Sequence, residues 1–167
     1  IKGGVNHVII AGVVKEPIIA MKTAAAMGFS PQFYGTSPTL DHRVALAAGP
    51  AGEGFISANF AHLWNSDAPA AVHYREICAK YEVPEAYMGM YHFYGYVTAK
   101  VLVEGIERAG KNLTRKRLIK GMEKLKKWDS GAFPPITYNS NDHAGTESVI
   151  LVQVKDGVQT VITDWID

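Results

Sequence analysis

The 167 residues predict an α/β protein, and three observations carry that class. Over the first 60 residues, short runs rich in β-branched side chains alternate with helical patterns, at the spacing of a parallel, doubly wound sheet. Three helices then arrive in series, with no convincing strand between them to receive their apolar faces. A β-hairpin closes the chain. The division is therefore an α/β segment over 1–60, a helical segment over 61–142 and a returning segment over 143–167.

Residues 6–12 (NHVIIAG) read as a short buried strand ending on glycine. A helix follows over 16–27, with Pro17 tolerated in its first turn and Gly28 as its stop. Residues 32–35 form the second strand. Ser37-Pro38 then has the pattern of an N-cap followed by proline at the first helical position, opening a helix to about Ala48. The third strand falls within 53–60. Ligands of open parallel sheets meet the loops that leave the strand C-termini, which puts Glu16, Thr36 and Ser37 in candidate positions. Glu16 also suits the positive end of its helix, and Thr36 and Ser37 suit capping.

The helical segment opens with residues 69–81, one side of which is marked by Ala71, Tyr74, Cys78 and Tyr81. Residues 86–110 predict one helix of roughly 35 Å, at about 1.5 Å per residue, ending on Gly110. Its first half crowds Tyr87, Tyr91, Phe93, Tyr94 and Tyr96, which serve either as a ligand wall or as core. Val97, Val101, Leu102 and Ile106 fall on one broad side of its second half. Thr114 caps a third helix whose buried side holds Leu118, Ile119, Met122 and Leu125. Residues 133–148, rich in Pro, Asn and Gly, read as a surface crossing. Strands over 147–154 and 158–165 flank Asp156-Gly157, a tight-turn dipeptide.

Composition excludes several classes. With 47% apolar residues, 20% charged and a net charge of +1, nothing calls for disorder or a nucleic-acid partner. The basic block from Lys111 to Lys127 surrounds its helix and reads as solvated surface. The six histidines are scattered without HExxH spacing, so no metal site is expected. Cys78 stands alone, and no G-x-S-x-G elbow, phosphate loop or dinucleotide fingerprint occurs. No catalytic residue and no cofactor are assigned. Ile1 opens the chain without an initiator methionine or a signal-peptide pattern, as in a processed chain or a fragment.

The stretches HVIIAGVVKEPIIAMKTAAAMGF, EGFISANF, YGYVTAKVLVEGIERAGKNLTRKRLIKGME and NDHAGTESVILVQVKDG occur in that order. Together they resemble the second half of an extracytoplasmic solute-binding protein of the branched-chain amino-acid-binding family, the type I periplasmic binding proteins. The resemblance implies two α/β lobes joined by crossing strands. Residues 1–60 would be part of the second lobe, 61–142 helices of the first lobe, and 143–167 the return crossing and hairpin of the second. The chain would be a C-terminal fragment whose missing N-terminal half, continuous or as a separate chain, carries the first lobe's sheet.

That family delivers small solutes to the membrane permease of an ATP-driven importer, from the periplasm or another extracytoplasmic space, with a lipid anchor in some full-length members. The resemblance implies no enzyme activity. The family's second-lobe aromatic contact matches Val13 and Val14, and its ammonium-binding acid matches Ser37, so both positions depart from the amino-acid pattern. The first-lobe aromatic contact matches Tyr91 and is retained. The expected ligand set is therefore Val13, Val14, Glu16, Thr36, Ser37 and Tyr91. The ligand is an amino acid, an amide or an aromatic or simple carboxylate, with leucine itself disfavoured. Asn59, Phe60 and Ala61, with His143 and Glu147, would be hinges. A ligand-sensing receptor domain, and less readily an α/β hydrolase-like enzyme, are the alternatives.

Overall fold

β-Branched side chains build β1 (His7–Ile10), and a parallel neighbour, β2 (Gln32–Gly35), pairs with it from His7↔Gln32 to Ile10↔Gly35. These strands belong to a computed structural model that describes residues 3–167. β3 (Ile56–Asn59) continues the parallel set, so three consecutive strands are linked by crossovers. The crossover helices are α1 (Lys15–Ala26) and α2 (His42–Ala48).

α2 begins later than the sequence suggests. Ser37-Pro38 opens only a short 3-10 turn, Ser37–Thr39, and the N-cap of α2 is Asp41. The Asp41 carboxylate accepts the backbone N–H of Arg43 at 3.0 Å and the Arg43 guanidinium at 2.6 and 2.9 Å. A carboxylate satisfies an orphan donor and the helix dipole together, which a serine hydroxyl does less well.

The sheet is completed from the far end of the chain. β6 (Ile150–Lys155) lies antiparallel to β3, and β7 (Val158–Val161) antiparallel to β6, giving the order β1-β2-β3-β6-β7. Asp156 and Gly157 both have positive φ (52° and 74°), as a tight hairpin turn of the expected kind requires. β7 is shorter than the sequence suggests. Beyond it, Ile166 forms only an isolated bridge with Val149.

α1 and α2 pack Met21, Val44, Ala45 and Ala48 against Phe33, Phe55 and Val154 on one sheet face. Alternation puts His7, Ile9, Tyr34, Ile56, Ala58, Leu151 and Gln153 on the other face, and none of these is buried. Ile9 is 78% exposed. Among the described residues of this unit, no helix covers that second face.

The sheet unit comprises the residues up to Phe60 together with Val149–Asp167, and a second compact unit comprises Ala61–Ser148. The boundaries thus fall at Phe60/Ala61 and at Ser148/Val149, so residues 143–148 sit with the second unit.

In that unit, α3 (Pro69–Lys80) and α4 (Met90–Ala109) enclose a core of Ala70, Ala71, Tyr74, Cys78, Phe93 and Val97. α4 starts four residues later than the 86–110 pattern suggests. Gly89 sits at φ 156°, ψ −172°, a conformation essentially reserved for glycine, and it separates α4 from a 3-10 turn at Glu85–Tyr87. Leu102 is 44% exposed, so the buried side of α4 runs through Met90, Phe93, Val97, Val101 and Gly105 instead. α5 (Arg115–Met122) is capped by Thr114, whose hydroxyl accepts the Arg117 N–H at 3.2 Å. Ile119, expected on its buried side, is 45% exposed, while Leu125 is fully buried beside Val101 and Ile136.

The stretch read as a plain crossing contains two strands, β4 (Thr137–Asn139) and β5 (Asp142–Gly145), paired antiparallel with an irregular register.

Candidate functional site

Two loops leave the carboxyl ends of the neighbouring parallel strands β1 and β2, and they carry Val13, Val14, Glu16, Thr36 and Ser37. Their positions follow from the pairing of the strands themselves. The Thr36 N–H donates to the Ile10 carbonyl at 3.3 Å, tying the start of one loop to the end of the other strand.

The first loop is folded onto the start of α1. Glu16 turns back so that its carboxylate accepts the Val13 N–H at 2.9 Å. That backbone hydrogen bond holds the exposed Glu16 carboxyl below the ordinary glutamate range. A Cβ on Gly12 would stand 2.9 Å from Glu16 Cβ, so the residue at 12 must be small for the loop to close. Val13 is 52% exposed, while Val14 is half-buried against the Met21 and Phe55 core. Val13 is thus the valine whose side chain is offered to solvent.

The second loop is fixed from beneath. The Thr36 carbonyl accepts the Thr39 N–H at 2.8 Å and the Thr39 hydroxyl at 2.7 Å. The Ser57 hydroxyl lies 2.8 Å from the same oxygen and 3.1 Å from Thr39 Oγ1. Both hydroxyl residues are buried, so these bonds are shielded from competing water. A Cβ on Gly35 would collide with Thr39 Oγ1 and with Phe55, so this network requires glycine at 35. Thr36 itself is exposed and Ser37 half-buried at the start of the 3-10 turn.

Thr39 and Ser57 were not among the residues singled out from sequence. A legible signal existed, since a hydroxyl three residues after Thr36 and a serine within an apolar strand both ask for buried partners.

Tyr91 belongs to the second unit, in the first turn of α4. It is 37% exposed and lines an aromatic groove of about 420 Å³ with Tyr74, Cys78, His92 and Tyr96. Tyr74 and His92 share a 2.8 Å hydrogen bond, and His73 and Tyr96 one of 2.7 Å. Burial pushes the Tyr74 phenol up to about 12, so it stays protonated at any ordinary pH.

Of the expected hinge residues, Asn59 ends β3 fully buried and Phe60 is exposed at the unit boundary. Ala61 is buried in the α3/α4 core. His143 lies within β5, its imidazole 3.3 Å from the Glu123 carboxylate, and Glu147 is exposed just before the second boundary. Among the described residues, no three His, Cys, Asp or Glu side chains gather as a metal ion would require.

Comparison with known proteins is consistent with this architecture. None of the proteins of curated function matches. The family model described as periplasmic binding protein matches residues 2–159. A branched-chain amino acid ABC transporter structure from Thermus thermophilus with bound valine superposes with a TM-score of 0.92 at 23% identity, over 99% of this chain and 47% of that one. The fatty acid ABC transporter substrate-binding protein of Thermomonospora curvata gives 0.85 at 21% identity, over 99% and 44%. An ABC transporter solute-binding protein from R. palustris in complex with benzoate gives 0.72 at 19% identity, over 94% and 42%. The chain spans about half the length of the structures it matches. It belongs to the periplasmic binding protein family and has the type I fold.

Proposed function

We propose that this chain is the C-terminal part of an extracytoplasmic solute-binding protein that captures a small organic solute between two lobes and passes it to the permease of an ATP-driven importer. The observation that carries this reading is the pair of loops at the ends of β1 and β2, held rigidly by Glu16, Thr39 and Ser57 in a chain of this family. Rigid loops at strand C-termini can meet a ligand without ordering cost, which favours binding over chemistry.

Val13 and Tyr91 supply apolar contact, with Val14 behind the loop, and Thr36 and Ser37 orient a polar group. Glu16 shapes the loop through Val13. A serine at 37 offers no negative charge to a buried ammonium, so the ligand class is an amide or an aromatic or simple carboxylate before a free amino acid. Asn59, Phe60 and Ala61, with the segment from His143 to Glu147, act as the connections about which the lobes close. The missing N-terminal half completes the first lobe. Structurally similar proteins include one with bound valine, the substrate-binding protein of a fatty acid transporter and one in complex with benzoate, which supports a small organic solute.

A thermal-shift and calorimetric screen of amino acids, amides and aromatic acids against the full-length protein tests the reading. The expected result is saturable binding with the ligand recovered unchanged, and about tenfold weaker binding in Tyr91→Ala with folding retained, about 1.4 kcal/mol. Conversion of the ligand would defeat the binding reading. An unchanged affinity in Tyr91→Ala would return that residue to core packing. A receptor domain that senses the ligand shares the site, and is distinguished by ligand-dependent signalling without uptake.

A further inference from the structure

Charge in this chain is distributed unevenly. Residues 108–127 hold nine Lys and Arg and a single acid, Glu123, a net of +8. The whole chain totals +1, so the other residues sum to −7. These cations lie at the C-terminal end of α4, where Glu104 and Glu107 stand beside them, in the loop after it, on α5 and in the segment that follows α5.

Their placement runs against local electrostatics. Arg115, Lys116 and Arg117 fill the first turn of α5, where the helix dipole favours acids, and that turn contains no acid. Arg108 donates to the Lys124 carbonyl at 2.7 Å and Lys124 to the Arg108 carbonyl at 2.8 Å, while Arg108 is also ion-paired with Glu104 at 2.7 Å. The side chains of Lys111, Arg115, Lys116, Lys120 and Lys127 are exposed and make no hydrogen bond or ion pair among the described residues. A fold that breaks a local rule repeatedly, without a compensating internal contact, marks a surface shaped by something outside it.

Two aliphatic side chains stand among these cations. Leu113 is 49% exposed between Lys111 and Arg115. Ile119 is 45% exposed in a shallow hollow lined by Arg115, Lys116 and Lys120 together with one acid, Glu123. Cations mixed with exposed aliphatics match the chemistry of a bilayer surface, where anionic headgroups meet lysine and arginine and the aliphatics enter the headgroup boundary.

We propose that this cationic end of the second unit is a docking surface for an anionic lipid bilayer. The occupant is argued from charge complementarity and from the pairing of exposed aliphatics with uncompensated cations. An acidic protein face is the alternative occupant, and the vesicle test separates it from a bilayer. The inference rests on the solute-binding reading only in placing the protein beside a membrane.

The test is co-sedimentation of the full-length protein, purified in soluble form, with vesicles of phosphatidylcholine alone or mixed with phosphatidylglycerol. Ligand affinity is measured in parallel, so failure of the binding reading and failure of this one are read separately. The expected result is sedimentation only with phosphatidylglycerol vesicles, reduced by salt that shortens the Debye length from about 10 Å to about 3 Å. The triple variant Arg115→Gln/Lys116→Gln/Lys120→Gln should lose about fivefold in partitioning per charge with ligand affinity unchanged. Ile119→Ser should weaken sedimentation that survives salt. Equal sedimentation of wild type with both vesicle types, none with either, or an unaltered triple variant would overturn the proposal. So would charge-dependent binding to the permease in neutral detergent without any binding to bare anionic vesicles, which would assign the surface to an acidic protein.

Discussion

At the residue scale, the candidate site depends on side chains that never face a ligand. Thr39 and Ser57 converge on one backbone carbonyl, that of Thr36, and thereby set the direction of the peptide that precedes Ser37. Thr39→Val keeps shape and removes the hydroxyl donor. It should cost about 1–2 kcal/mol of stability and weaken ligand binding severalfold, read by calorimetry. Asp41 offers a pH test. Burial alone would raise its carboxyl, but hydrogen bonds and charge from Arg43 outweigh that and hold it below the ordinary aspartate range. A depressed carboxyl stabilises the fold above its unfolded value, about 3.9, and that contribution is lost as pH falls through the folded value. Thermal unfolding should therefore be flat above about pH 5 for this group and decline in acid. Asp41→Asn should lower the midpoint at neutral pH and flatten the acid limb. The positions of Glu16, Thr36 and Ser37 were legible because strand C-termini are legible, whereas Val13 came from the family resemblance. The identity of the cap was not, since Ser-Pro and Asp-His-Arg both carry capping residues and only tertiary packing selects between them.

At the element scale, α4 and α5 meet through glycine. A Cβ on Gly121 would collide with the Gly105 carbonyl and stand 2.9 Å from the Ala109 N–H. Backbone offers no rotamer escape, so Gly121→Ala must push the helices apart. It should lower stability by about 1–3 kcal/mol, seen as a reduced urea midpoint with an unchanged slope. Strong periodic elements were readable from sequence, including α1, α3, the parallel strands and the final hairpin. The start of α4 was not, because Gly89 breaks a pattern that the tyrosines and methionines around it continue. β4 and β5 were missed for a similar reason. Their residues, Asn, Asp, His and Gly among them, have low strand propensity, and pairing with one another is what extends them.

At the scale of the whole molecule, the sequence suggested three helices without a sheet to receive them, and among the described residues of the sheet unit no helix covers one sheet face. Ile9, Tyr34, Ile56 and Leu151 face outward from a sheet whose helices, α1 and α2, both lie on its other side. Right-handed crossovers that advance in one direction place their helices on one face, so three strands in order can dress only that face. Helices for the opposite face come from strands that advance the other way, which the half-length coverage of the relatives leaves room for.

The register of β3 with β6 has one more consequence. Asn59 and Ile150 are direct partners across an antiparallel pair, so the chain departs from the sheet and returns to it at neighbouring rungs. In connectivity, the whole of Ala61–Ser148 is the loop of a single β-hairpin. A ribosome extends a chain by about 5–20 residues per second, so β3 waits on the order of ten seconds for the strand that seals its edge. During that interval the insert can fold from its own local contacts, while the sheet that holds the candidate site stays open. In sequence order the candidate-site loops precede this insert, and the strand that closes their sheet follows it.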